Sequence, residues 1–482
     1  MWEVLITGFV RCSVAGQRFR EFKMRGLICM IIHLIVAVLA LGPHFIGALN
    51  SDGTVLISLS KDLNAPPNVF SSWRSSDENP CNWEGVFCHA DHTVRVLNLT
   101  DRKLSGTLSP AIGALHNLKE LYLDLNTLSG IIPAELGNCT KMEFLYLSNN
   151  HLHGQIPPVL GNLQNLQVLS LSNNSLEGQI PSELFKAKKL QEVYLHDNRL
   201  TGSIPPEITN LKKLRYLFLF DNQLSGSIPP TLGAQSNLTG IDFTGNQLTG
   251  SIPPTLCSSG KLELLLVRGN QLEGQIPPEI GECSSLKRLI LSHNRLSHRI
   301  PPNFLISNPN IDHLDMKGNQ LEGRIPWGIG HLQNLSFMDL SMNMLSGPLH
   351  PQLGHLSKLK LLNLGSNRFS GEIPYAMGLM SELQSMDLSS NNFSGSIPSS
   401  LDGMSSLVQI NVSNNQLTGC IPNSWSNLWN PSPGSFNGNP GLCLAEHDGK
   451  SPCKCKSKEH EMDGQYPHSH IGRLGNQRIA LS

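Results

Sequence analysis

Aromatic and charged side chains recur at fixed intervals through the middle of this chain, and the chemistry they offer is recognition. One constant interval separates Tyr194 from Phe218, His196 from Phe220, and Glu192 from Tyr216. Asp242, Arg268, Arg288 and Lys317 fall later in the same three positions. Exposed aromatics in a row cost hydration and are typical of binding anchors. Tyr194, Tyr216, Phe218 and Phe220 would take the apolar side chains of a ligand. Arg268, Arg288 and Lys317 would meet a carboxylate or sulfate. Cross-strand aromatic pairs also stabilise a sheet, which is the competing use of such residues. Covalent chemistry has no comparable signal. The chain contains no H-E-x-x-H, no G-x-S-x-G, no phosphate-binding glycine loop and no paired zinc-type cysteines. Cys453-Lys454-Cys455 alone does not make a metal site, and the 18 histidines are dispersed. No catalytic residue, metal or cofactor is therefore expected. The net charge of −1 gives no reason to expect nucleic-acid binding.

The elements that must position these side chains follow from the period. Thirteen asparagines mark it: Asn126, Asn150, Asn174, Asn198, Asn222, Asn246, Asn270, Asn294, Asn319, Asn343, Asn367, Asn391 and Asn415. The intervals between them are equal except for the one ending at Asn319, which is a single residue longer. The frame around each reads as in Leu190-Gln191-Glu192-Val193-Tyr194-Leu195-His196-Asp197-Asn198-Arg199-Leu200. Alternation around the two middle leucines predicts a short strand with leucines inward and the intervening residues outward. Asparagine hydrogen-bonds backbone where the chain turns away, so the asparagines should form a ladder. The following Leu-x-Gly-x-Ile-Pro half turns at glycine, and proline forbids a long helix there. Leu97, Leu99 and Leu104 keep the frame once more upstream with Arg102 in place of asparagine, so fourteen repeats run over residues 94–425. No single repeat buries its own leucines, so the stack is the folding unit. The unbroken frame predicts one continuous parallel inner sheet, with short 3₁₀ or irregular segments opposite.

The L-x-x-L-x-L-x-x-N-x-L frame with Leu-x-Gly-x-Ile-Pro resembles the plant-specific leucine-rich repeats of receptor-like kinase and receptor-like protein ectodomains. Residues 49–93 resemble the plant N-terminal cap, with Cys81-Asn82-Trp83-Glu84-Gly85-Val86-Phe87-Cys88. Residues 435–443, Ser435-Phe436-Asn437-Gly438-Asn439-Pro440-Gly441-Leu442-Cys443, resemble the segment that closes such ectodomains, which puts a C-terminal cap at 426–455. The resemblance implies an α/β leucine-rich repeat solenoid: a right-handed superhelix with a concave parallel β-sheet and capped ends. It also implies an extracellular peptide or protein ligand and a co-receptor that itself has a leucine-rich repeat ectodomain. Paired arginines flanking one strand leucine, which some related peptide receptors use for a free carboxylate, are not present.

The flanks suit a secreted glycoprotein. Arg11, Arg18, Arg20, Lys23 and Arg25 precede the apolar run 27–41, and Ala48 offers a cleavage site, so residues 1–48 read as a signal peptide. An uncleaved N-terminal membrane anchor is the alternative. Residues 456–482 read as a disordered polar tail. Residues 446–482 carry no apolar run long enough to span a membrane, and no kinase motif occurs in the chain. A soluble form, a secreted receptor-like protein and a truncated receptor all stay open. Cys81 is expected to pair with Cys88, and Cys443 with Cys453 or Cys455. Cys257 and Cys283 occupy neighbouring repeats and form a further candidate pair, whereas Cys139 and Cys420 have no evident partner. Seven sequons stand at Asn98, Asn138, Asn173, Asn237, Asn334, Asn392 and Asn411. Glycans on Asn98 and Asn411 would cover the two ends of the inner face and leave a ligand the middle repeats.

Two functions compete. The first is a non-catalytic recognition module for signalling or defence, with a peptide lying extended over repeats 5 to 10. The second is a secreted inhibitor of a cell-wall-degrading enzyme, similar to plant polygalacturonase inhibitors, which usually carry fewer repeats. The fourteen repeats and the long aromatic-to-basic face favour the first.

Overall fold

The computed structural model describes residues 48–422, 425 and 434–444. The signal-like segment, the polar tail, Cys453 and Cys455 lie outside the described residues. The chain divides into two compact units, Met1–Leu224 and Ser225–Ser482. A repeat touches mainly the repeats beside it, so a solenoid has no single centre to hold distant parts together.

The first unit begins with the one α-helix longer than a single turn among the described residues, Ser51–Asp62. Asn50 caps it, its side-chain oxygen accepting from the Gly53 amide at 2.8 Å. Asp52, in the first turn of the helix, is buried, and its Oδ2 accepts from the Val94 amide at 2.7 Å, which ties the helix to the first repeat. Trp73 and Trp83 stack with ring centroids 5.4 Å apart. Their indole N–H groups donate to Glu84 O at 3.1 Å and Asp77 Oδ2 at 2.8 Å, so both rings are buried without a lost hydrogen bond. A disulfide joins Cys81 to Cys88. The strand Val86–Cys88 runs antiparallel to Val94–Asn98 and closes the open end of the sheet. Parallel inner strands follow at Glu120–Tyr122, Phe144–Tyr146, Val168–Ser170, Glu192–Tyr194 and Tyr216–Phe218. Their leucines face inward, and Leu121, Leu123, Leu145, Leu147 and Leu195 are fully buried.

Asn198 shows how the asparagine ladder works. Its Nδ2 donates to Leu171 O, Leu195 O and His196 O at 3.0, 3.1 and 3.1 Å. Its Oδ1 accepts from the Leu176 amide at 2.9 Å. One buried amide thus satisfies backbone groups of two adjacent repeats, groups that would otherwise be stranded in the core.

The Leu-x-Gly half departs from the expectation of irregular structure. It forms a second set of parallel strands, including Thr127–Gly130, His151–Gly154, Ser175–Gln179 and Arg199–Ser203. The repeat pitch brings extended stretches into register on this side too, and backbone pairing completes their hydrogen bonds. Glycine is required where these strands turn: Gly202 has φ +75°, and a Cβ there would meet Gln179 Cγ at 2.8 Å. The expected short 3₁₀ helices follow, some starting at proline, as in Pro206–Asn210, and others directly after one, as in Ala134–Asn138 after Pro133.

The second unit repeats the plan, with inner strands Gly240–Asp242, Leu264–Leu266, Arg288–Ile290, His313–Asp315, Phe337–Asp339, Leu361–Asn363, Ser385–Asp387 and Gln409–Asn411. The longer interval before Asn319 is absorbed by the single helical turn Phe304–Ser307 in place of a 3₁₀ helix. The fully buried Asn308 seals that turn by donating to Phe304 O at 2.8 Å. A disulfide joins Cys257 to Cys283 in the neighbouring repeat. The closing segment also departs from expectation, because it is itself a repeat. Gly441–Leu444 pairs parallel with Gln416–Ile421. Asn439 stands one repeat interval after Asn415. It accepts from the Leu417 amide at 3.0 Å and donates to Val412 O at 2.9 Å, which adds one rung to the ladder. Cys443 and Cys420 are each disulfide-bonded, so Cys420 does have a partner. Among the described residues no helix is long and apolar enough to cross a membrane.

Candidate ligand-binding face

The outward positions of the inner strands place side chains in rows, one per strand, and neighbouring strands stand about 4.8 Å apart. Rings at this spacing must touch. In the first unit Tyr122 stacks on Tyr146 with centroids 5.1 Å apart, and Tyr194 tilts against Phe218 at 5.4 Å. His196 stacks on Phe220 at 4.1 Å, and Tyr216 meets Phe218 edge-on at 6.0 Å. The Arg215 guanidinium sits over the Tyr216 ring, 5.4 Å from its centroid. Tyr194, Tyr216, Phe218 and Phe220 are therefore half-buried rather than freely exposed. The rings shield one another, so stabilisation of the sheet and presentation of an aromatic surface coexist here.

Carboxylates hold the phenols. Tyr194 donates to Glu192 Oε2 at 2.8 Å and Tyr122 to Glu120 Oε2 at 3.1 Å. Burial pushes the Tyr122 phenol up to about 12, and the negative charge of Glu120 adds to it. Tyr194 is raised further, first by burial and then by its hydrogen bond to Glu192, and burial also raises Tyr146. All three stay neutral donors at ordinary pH. His196 Nδ1 lies 3.0 Å from Asp197 Oδ2, which orients the imidazole against Phe220.

The basic residues named from the sequence lie in the second unit. Arg268 is exposed and makes no ion pair among the described residues. Arg288 Nε lies 3.8 Å from Asp312 Oδ1, and Lys317 Nζ lies 4.0 Å from Asp339 Oδ2. Both cations thus face carboxylates of their own chain, which sequence reading did not anticipate because neither acid occupies the same strand. Asp242 turns onto its own backbone, its Oδ1 accepting from the Thr244 amide at 2.9 Å. The same turn recurs at Asp315, Asp339, Asn363, Asp387 and Asn411, a polar row whose alternate placement along each strand was visible in the sequence.

Six sequon asparagines are exposed: Asn98, Asn138, Asn173, Asn237, Asn334 and Asn392. Asn411 is half-buried, and its Nδ2, the atom a glycan would occupy, donates to Asp387 Oδ2 at 3.3 Å. An open groove of about 720 Å³ lies beside the second sheet of the first unit, lined by Gln155, Gln179, Ser182, Glu183, Ser203 and Glu207. It shares no residue with the aromatic face. Among the described residues no group of three or more His, Cys, Asp and Glu could hold a metal ion.

A leucine-rich repeat N-terminal domain matches residues 49–89, a leucine-rich repeat region matches 89–349, and a leucine-rich repeat matches 357–417. The chain belongs to the leucine-rich repeat family. A leucine-rich repeat receptor-like serine/threonine-protein kinase of Arabidopsis thaliana is 39% identical over 97 residues, 20% of this chain and 9% of that protein. The Arabidopsis leucine-rich repeat receptor-like protein kinase PEPR1 is 43% identical over 93 residues, 18% of this chain and 8% of its own length. The crystal structure of PEPR1–AtPEP1 superposes with a TM-score of 0.67 at 35% identity, covering 82% of this chain and 62% of that one. The plant peptide hormone receptor RGFR1 in complex with RGF2 gives 0.59 at 35% identity, covering 71% and 62%. This leucine-rich repeat chain thus has the fold of plant receptor ectodomains that bind ligands, and it spans less than two thirds of these relatives.

Proposed function

We propose that this chain is the extracellular recognition part of a plant receptor-type leucine-rich repeat protein, and that it binds an extended peptide on the aromatic inner face of its first unit. The observation that carries the reading is the paired-ring surface built by Tyr194, Tyr216, Phe218, Phe220 and His196 on adjacent strands. It is half-buried, and it is edged by Glu192. An extended peptide matches it because its side chains alternate, one set turned to the rings and the other to solvent. Of the similar structures, that of PEPR1 pairs the receptor with AtPEP1 and that of RGFR1 is a complex with RGF2. Secretion directed by residues 1–48, and engagement of a co-receptor with its own leucine-rich repeat ectodomain, belong to the same proposal. Arg268 is the cation of the second unit best placed for an acidic ligand group, since Arg288 and Lys317 already face acids.

The test is a Phe218→Ala, Phe220→Ala double variant in a pull-down or calorimetric assay against extracellular plant peptides. Loss of such anchors is expected to weaken binding by ~2 kcal/mol or more. The fold should survive, since both rings point away from the leucine core. A ligand that binds the variant as tightly as the parent rules out this face.

A further inference from the structure

In the row formed by Tyr122, Tyr146, Ser170 and Tyr194, one strand lacks a ring. Ser170 is in register with Tyr146 on one side and Tyr194 on the other. Each tyrosine packs on a ring on its other side, Tyr146 on Tyr122 with centroids 5.1 Å apart and Tyr194 on Phe218 at 5.4 Å. Two aromatic walls therefore flank Ser170 on strands about 10 Å apart. The floor is polar: Ser148, Ser170 and Ser172 are buried and bonded to one another through their hydroxyls. Around this slot, the three outward positions of the four strands from repeat 2 to repeat 5 carry three carboxylates, Glu120, Asp124 and Glu192, and neither Lys nor Arg. Arg95 neutralises part of this charge through Glu120 at 3.3 Å. Glu192 spends one oxygen on the Tyr194 hydroxyl.

We infer that the Ser170 slot is the seat of a cationic side chain, an arginine or lysine of the bound peptide, held between the Tyr146 and Tyr194 faces and paired with Glu192. This deepens the proposed peptide-binding function and rests on it. The chemistry selects a cation for three reasons. The negative faces of aromatic rings attract guanidinium and ammonium groups. The carboxylates supply the counter-charge. An anion would meet three negative groups. Both phenols stay uncharged over the working pH range, so the walls keep their quadrupole character.

The experiment compares acetyl-Gly-Ser-Arg-Ser-Gly-amide with its citrulline counterpart, which has nearly the same shape and no charge. Binding to the whole chain is measured by calorimetry or saturation-transfer NMR at low salt. The arginine peptide is expected to bind about tenfold more tightly, with an advantage that shrinks as salt rises. Glu192→Gln should reduce that advantage toward parity while leaving the tyrosines in place. Ser170→Leu should fill the slot and abolish binding of both peptides. If that variant misfolds, Glu192→Gln carries the test alone. Equal binding of both peptides overturns the slot, as does an arginine advantage that survives Glu192→Gln. If equal binding is also weakened by Phe218→Ala, Phe220→Ala, the aromatic face stands and only the slot falls. If it is not, both readings fall. No binding of either peptide at millimolar concentration also overturns the slot, and the pull-down against extracellular peptides then judges the face by itself.

Discussion

Tyr194 donates its hydroxyl to Glu192, two residues earlier on the same strand, at 2.8 Å. The pair joins the outward face into a single surface: the carboxylate fixes the ring, and the ring packs on Phe218 of the next strand. The same two-residue relation links Tyr122 to Glu120. Repetition has thus produced a recurring structural unit on the face that varies most between repeats.

These phenols make stability fall at high pH. Tyr122 titrates at about 12 in the folded chain, and Tyr146 and Tyr194 are also raised. Unfolded tyrosine titrates at roughly 10. Because the folded pKa lies above the unfolded one, the folded chain holds more protons between the two values. The contribution is intact below about pH 10 and is lost as pH rises from there. Melting temperature followed from pH 8 to 12 should drop above 10, and tyrosinate absorbance should lag in the folded protein. Full titration of all six tyrosines near 10 without unfolding would contradict this.

Asn198→Ala should be among the more damaging single substitutions. It leaves Leu171 O, Leu195 O and the Leu176 amide without their side-chain partner inside the core. Loss on the order of 2–4 kcal/mol is expected. Asn173→Ala, which removes an exposed bond to Asn149, should cost about 0.5 kcal/mol or less. Urea midpoints of the two variants give the comparison, and similar midpoints would refute the ladder's structural role.

The Cys139 thiol should resist alkylation in the folded protein. It is fully buried, burial pushes it up to about 12, and its sulfur lies 3.4 Å from Ile112 O. Iodoacetamide at pH 8 should label it only after unfolding. Rapid labelling under native conditions would show that the first unit opens locally.

Reduction of Cys81–Cys88 should destabilise the N-terminal cap before the repeats. The bond closes a short loop around Trp83, which stacks on Trp73. Such bonds contribute a few kcal/mol, roughly 2–4. Cys81→Ser, Cys88→Ser should change tryptophan fluorescence and raise hydrogen exchange first in residues 51–98. Uniform change along the chain would mean that the cap does not act as a local seal.

The repeat itself was legible from residue order. Leucine spacing identified the inner strands, and the asparagines identified the ladder, because both depend on contacts that recur at one fixed offset. The serine-for-tyrosine change at Ser170 was also visible, but its meaning was not. A gap has no significance until Tyr146 and Tyr194 are seen to pack on the rings of their far neighbours. The rung at Asn439 could have been found by extending the count one more interval past Asn415, yet the leucines that mark the frame are missing around it. The partners of Arg288 and Lys317 were out of reach, since Asp312 precedes the next strand and Asp339 ends a different one, and periodicity does not say which outward side chains meet across strands.

The sequence by itself determined the fold family and the inward and outward assignment of each strand residue. Periodicity suffices for these because every repeat solves the same local problem of burying leucines and satisfying backbone. Only the tertiary structure decided that the Leu-x-Gly halves pair into further parallel sheets and that the rings shield one another. Those outcomes depend on side-chain direction and strand pitch. They are set by neighbours 22 to 28 residues away in the chain, as in the Asn198 and Asn308 bonds, and become neighbours only when the repeats stack.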